Sequence, residues 1–131
     1  MTSQSENRYA RGLKQLSAVD GRAGEEVVAK VAAISPDFAR YLVEFPFGDV
    51  YSRGGLDLKQ REIATIAALA ALGHALPQFK VHVAAGLHVG LTREEILEIV
   101  IQMAVYAGFP AALNALFAAQ EVFAEQTAKA A

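Results

Sequence analysis

The residues of this chain best suited to chemistry are His74, His82 and His88, Glu62 inside an apolar run, and Arg53 inside an aromatic-rich segment. Imidazole changes charge near neutral pH and can donate or accept a proton. Helical spacing from Pro77 onward places Phe79, His82, Val83 and Gly86 on one side and Lys80, Ala84 and His88 on another strip. His82 therefore points with apolar residues, and His88 is expected at the surface. The two diverge around the helix and cannot grip a metal together, as a pair four residues apart could. Glu62, His74 and His82 could in principle hold one, but nothing in the spacing demands it.

Each candidate has a plain reading beside the chemical one. His82 is either a hydrogen-bonded core group or a catalyst. Glu62 shares a strip with Ile66, Leu69 and Gly73, which suits a buried carboxyl for proton transfer; it equally suits a helix N-terminus, where an acid complements the dipole. Arg53 lies in FGDVYSRGGL. It could grip a carboxylate through two parallel hydrogen bonds, or pin its own loop to Asp49 or Asp57. His74 follows Gly73 in a loop and fits either part. Thr92-Arg93-Glu94-Glu95 reads as a helix cap, and Gln102 with Tyr106 as a structural pair.

Composition narrows the field. The 131 residues contain no cysteine, so thiolate nucleophiles, disulfides, zinc–thiolate sites and iron–sulfur clusters are excluded. The net charge of -2 offers nothing to nucleic acid or to an anionic membrane. The N-terminal segment is polar and mixed in charge, and the longest apolar stretch, Ile63 to Gly73, is about half of what a bilayer requires. A cytoplasmic protein is the expectation. No Walker-type loop, GxGxxG or GxSxG is present.

The elements that must position these residues read as helical nearly throughout, within a single domain. Helices are expected over Glu6 to Ala18 and Gly24 to Ile34. A third starts with Ser35 as cap and Pro36 at the first position, runs to Val43, and turns Phe38, Tyr41 and Leu42 inward. Phe45 to Leu56 reads as an ordered irregular loop. Further helices follow over Asp57 to Leu72, Pro77 to Val89, Thr92 to Ala107 and Pro110 to Gln126. Gly73, Gly90 and Gly108 are the stops, and TAKAA is a frayed end. IATIAALAALG and PAALNALFAA carry no charge at all. A helix without a polar face needs neighbours on every side, and a chain this short has few to offer. Packing between subunits of a homo-oligomer is the expected solution.

Taken in order, the series GD-x-x-x-R-x-GL, K-x-H-x-x-A, G-x-T-x-EE-I and Q-x-x-x-Y-x-G-x-P-A-A resembles the carboxymuconolactone decarboxylase family, from about Phe38 to Phe123. RYARGL is similar to the start of those decarboxylases. The wider superfamily includes AhpD-like alkylhydroperoxidases, whose relay uses a Glu, a CxxC pair and a His. Here Glu62 matches the Glu, His74 and Pro77 stand at the cysteine positions, and Val81 stands at the His position, one residue before His82. Thiol peroxidase chemistry cannot operate without thiols.

The resemblance implies an all-α, AhpD-like array of six to seven helices, packed between subunits as a trimer or hexamer. It implies decarboxylation of 4-carboxymuconolactone to the 3-oxoadipate enol-lactone in aromatic catabolism, with no cofactor and no metal. For that chemistry His82 and Glu62 are the expected catalytic residues, with Glu62 orienting His82 or shuttling the proton, and Arg53, Lys80 and His74 the expected contacts to a small anionic substrate. Other lactones or keto acids, or a non-enzymatic ligand-binding oligomer, are the competing expectations.

Overall fold

The computed structural model describes residues 4–130, with side chains described from residue 7 onward. The chain is all-α, with six α-helices and one π-helix among the described residues. It divides into two compact units, Met1–Leu58 and Lys59–Ala131.

The first unit holds α1 (Gln4–Ile34), α2 (Pro36–Leu42) and a π-helix (Val43–Val50). The two helices expected before Ser35 are joined end to end in α1, with one break at Gly21 (φ 60, ψ -143). Residues with a Cβ rarely adopt that backbone, so Gly21 sets where the helix kinks. Ser35 caps α2, its Oγ accepting from Phe38 N at 3.2 Å, and Pro36 sits in the first turn. Phe38 and Tyr41 do not turn inward as expected. They are 61% and 59% exposed, and α2 buries Ala39 instead. A seven-residue helix has about two turns, so it presents only a narrow strip to the core.

Phe45 to Leu56 is also more regular than its composition suggests. The first part is the π-helix, with Val43, Glu44, Phe47 and Gly48 buried, and turns follow from Tyr51. Pro46 has no N–H to donate, which removes one α-type bond. The wider register appears in Tyr51 N donating to Pro46 O at 2.8 Å, five residues back. α1 lies close against this element. A methyl on Gly12 would clash with the Val43 carbonyl oxygen, so a bare backbone is required there.

Polar bonds complete the contact. Arg8 donates from Nε and Nη2 to the two carboxylate oxygens of Asp49, at 3.0 and 2.6 Å. Arg11 donates to Gly48 O at 2.6 Å, and Gln15 to Tyr51 O at 3.0 Å. The hydrogen bond from Arg8, with the charges of Arg8 and Arg11, holds the Asp49 carboxyl below its ordinary value of 3.8. A depressed folded value means that this stabilisation is present above pH 3.8 and is lost as pH falls through the folded value. Urea midpoints measured against pH should therefore drop in acid. The Asp49→Asn variant should start lower at neutral pH and show a shallower acid drop. An unchanged slope in the variant would remove Asp49 as its source.

The second unit holds α3 (Leu58–Leu72), α4 (Leu76–His88), α5 (Arg93–Tyr106) and α6 (Phe109–Ala130). Its core gathers Ile66, Phe79, Val83, Ile96, Val100, Ala115, Ala119 and Val122. The capping box of α5 is present in both directions. Thr92 Oγ1 accepts from Glu95 N at 3.0 Å, and Glu95 accepts from Thr92 N at 2.9 Å. Gly73, Gly90 and Gly108 follow their helices with positive φ, at the stops assigned to them. α6 runs past Gln126 through Ala130, so the C-terminal segment expected to fray is helical that far; Ala131 lies outside the described residues. No described helix is long and apolar enough to cross a membrane.

Candidate functional site

Glu62 stands in the first turns of α3 and His82 in the middle of α4. On α4 the strip read from helical spacing holds, with Phe79, Val83 and Gly86 buried beside His82; on α3 Ile66 is buried beside Glu62, Leu69 and Gly73 are half-buried, and Ala70 is buried instead. Packing in the second unit brings these strips together, and His82 Nδ1 meets Glu62 Oε1 at 2.8 Å.

The two members differ in access. The Glu62 side chain is 0% exposed, while that of His82 keeps 18%. An ionised carboxylate can only accept, so with Glu62 ionised the proton of this bond belongs to Nδ1. The opposite ring nitrogen, Nε2, is then the one that can work on another molecule. This is the geometry of an acid or base held in one orientation by a neighbouring carboxylate. Glu62 has no exposed surface of its own, so only His82 of the pair is open to another molecule.

The remaining candidates are placed differently. His74 is exposed between α3 and α4, and His88 is exposed at the end of α4. Lys80 and His82 are two residues apart on α4, about 200° around the axis, so they serve different sides of the helix. The Lys80 ammonium pairs with Glu121 in a cleft of about 420 Å³ lined also by Leu76, Asn114 and Phe117. Arg53 is an exposed residue of the first unit, in the turns after the π-helix, where its N–H donates to Val50 O at 3.1 Å. Asp49, one of the two partners considered for Arg53, is engaged by Arg8 and Arg11. Gln102 and Tyr106 are both exposed. Among the described residues, no group of three or more His, Asp or Glu converges in a way that could hold a metal ion.

Two features lay outside the sequence reading. Glu44 is a second buried acid, in the π-helix, with Arg40 Nε 3.6 Å from its carboxylate. The Arg8–Arg11–Asp49 cluster joins residues about forty positions apart, and only the RY of the first helix and the GD of the later motif hinted at it.

The order of these elements is matched by known proteins. The sequence profile of the carboxymuconolactone decarboxylase family covers residues 36–121. The chain belongs to that family. A 4-carboxymuconolactone decarboxylase of Acinetobacter baylyi is 34% identical over 119 residues, which is 90% of this chain and 88% of the relative. An uncharacterized 15.0 kDa protein of Paracoccus denitrificans is 37% identical over 125 residues, 94% of this chain and 88% of the relative. A nitrosuccinic acid decarboxylase of Metarhizium robertsii is 30% identical over 111 residues, 81% of this chain and 76% of the relative. Membership in the carboxymuconolactone decarboxylase family, in its cysteine-free branch, gives the chain a decarboxylase setting at the level of the family. The Glu62–His82 pair is the arrangement within it best suited to moving a proton.

Proposed function

We propose that this protein is a cofactor-independent decarboxylase acting on 4-carboxymuconolactone. The observation that carries the reading is a histidine of limited exposure bonded to a fully buried carboxyl, in a chain 34% identical over most of its length to a protein named for that activity. The chemistry follows from the substrate. The bond to the departing carboxylate breaks, carbon dioxide leaves, and the electron pair moves through the ring alkene onto the lactone carbonyl. The substrate is thus its own electron sink. One proton must then reach carbon, so one carboxylate and one proton become carbon dioxide and a C–H bond.

His82 has two ways to help. From Nε2 it can donate to the oxyanion as charge develops, or it can deliver the proton to carbon. Glu62 holds the ring and steadies its charged form. Arg53 belongs to the first unit and is given no place beside His82; its guanidinium suits a carboxylate by its chemistry alone. His74 stays a secondary contact in this proposal; Lys80, held by Glu121 on the other side of α4, does not.

The test is direct. Purified protein incubated with 4-carboxymuconolactone should release carbon dioxide and form the enol-lactone, with a kcat in the usual range of about 1–1000 per second. No turnover of this compound would reject the specific substrate. A second reading is favoured by the Metarhizium relative, named for nitrosuccinic acid. Any acid with an electron sink beside its carboxylate, whether lactone, ketone or nitro group, poses the same problem to His82. Turnover of such an acid, with none of the lactone, would select that reading.

We also propose that the protein is a homo-oligomer, a trimer or hexamer. Ile101, Val105, Tyr106, Phe109, Leu113 and Phe117 are exposed along the end of α5 and the start of α6. Tyr106 is 79% and Val105 76% exposed, and large apolar groups in such a run commonly mark an interface. Sedimentation should give a mass of three or six chains. A paired Val105→Asp, Phe117→Asp variant should sediment as a smaller species; an unchanged mass would place the interface elsewhere.

A further inference from the structure

The first unit contains a cleft that the decarboxylase reading does not use. It has a volume of about 750 Å³ and is lined by Asn7, Arg8, Arg11 and Asp49. We propose that this cleft is a binding site for a small carboxylate, held by the outer amino groups of Arg8 and Arg11.

The charge balance favours an anion. Among the described lining residues, two guanidinium groups share one carboxylate, an excess of one positive charge. Glu44 also lies within electrostatic reach of Arg8 and lowers that excess, since Arg40 beside it is shared with Asp37. The donors are also divided in a telling way. Arg8 spends Nε and Nη2 on Asp49, and Arg11 spends Nε on Gly48 O and Nη2 on Asp49. Among the described residues, the Nη1 groups of both arginines have no partner. The two side chains keep 38% and 46% exposure and line the cleft.

Orientation is already established. Asp49 and Gly48 fix both guanidinium planes, so little side-chain freedom remains to be lost on binding. Asn7, exposed on the same wall, adds an amide that can donate to a second oxygen. A planar carboxylate suits such a fork better than a spherical ion, because each oxygen can take a separate N–H.

The experiment follows the arginine Nε–H signals of the full-length ¹⁵N-labelled protein during titration with succinate. Sodium chloride and inorganic phosphate serve as parallel arms at matched ionic strength. The Arg8 and Arg11 signals should move saturably with succinate, at a dissociation constant on the order of 1 mM. The Arg11→Gln variant should bind at least ~10-fold more weakly, the loss expected for one charge-assisted bond. Asn7→Ala, which leaves both arginines in place, should weaken binding by a smaller factor. His82→Ala should bind succinate at this cleft as the parent does, which separates this proposal from the decarboxylase reading.

Equal movement with chloride, or no saturation, would reduce the cleft to a screened surface and overturn the proposal. Tighter binding of phosphate than of succinate would overturn the carboxylate assignment. Full binding in both Arg11→Gln and Asn7→Ala would overturn the location.

Discussion

Replacing His82 with Ala should lower decarboxylase turnover by ~100-fold or more while leaving a folded protein. The ring is only partly buried and its Nδ1 bonds Glu62, so the apolar contacts of the helices remain when it is cut back. What is lost is the one group of the pair with access to another molecule. Circular dichroism should stay near that of the parent and the urea midpoint should fall, because buried Glu62 loses a partner, while kcat carries the far larger loss.

Glu62→Gln keeps the shape of the buried side chain but not its charge. It should lower kcat less than His82→Ala does, and it should move the pH profile, because the imidazolium loses its anionic neighbour. A purely structural Glu62 would change stability without moving that profile. Near-normal turnover in folded His82→Ala protein would remove the histidine from the mechanism.

Phe79→Ala should cost about 3–5 kcal/mol of stability, the range for truncating a fully buried aromatic ring. Phe79 is 0% exposed and is among the largest fully buried side chains of the chain. It lies on the same strip of α4 as His82, one turn earlier, within the core cluster that includes Ile66 and Val83. A typical domain has a total stability of about 5–15 kcal/mol, so this single change removes a large share of it. The urea midpoint should fall accordingly. Residual turnover at low temperature should fall too, since α4 carries the histidine. A loss below ~1 kcal/mol would mean that the neighbours collapse into the space, and that α4 is held chiefly by other contacts.

Much of the fold was legible because its punctuation is local. Ser35-Pro36, Thr92 with Glu95, and the glycines at 73, 90 and 108 announce helix ends through chemistry confined to a few residues. The strips bearing Glu62 and His82 were legible for the same reason, since helical spacing alone sorts a helix into faces. Their meeting was expected from the decarboxylation chemistry and not from spacing. It depends on how α3 and α4 pack, which no spacing within either helix reports.

The segment from Val43 was misread because Pro46 and Gly48 both argue against an α-helix. A π-helix accommodates them by giving up the ordinary register. Phe38 and Tyr41 were expected inward on hydrophobicity alone, and the short α2 had only Ala39 to spare for the core. Asp49 was weighed against its neighbour Arg53, whereas Arg8 and Arg11 reach it from the other end of the first unit. Partners so distant in sequence leave no local trace.

The wide-register segment at Val43–Val50 also makes chain length there a fixed quantity. Deleting a single residue between Pro46 and Asp49 would let the coil tighten to ordinary pitch. Each residue of such a coil turns through about 100°. The acid that grips both arginines would then swing away from them, and every hydrogen bond joining that stretch to α1 would lose its match. Insertions and deletions among homologues should therefore avoid this stretch and collect in the turns around Gly54 and Gly55, where a methyl added to either glycine would meet open space.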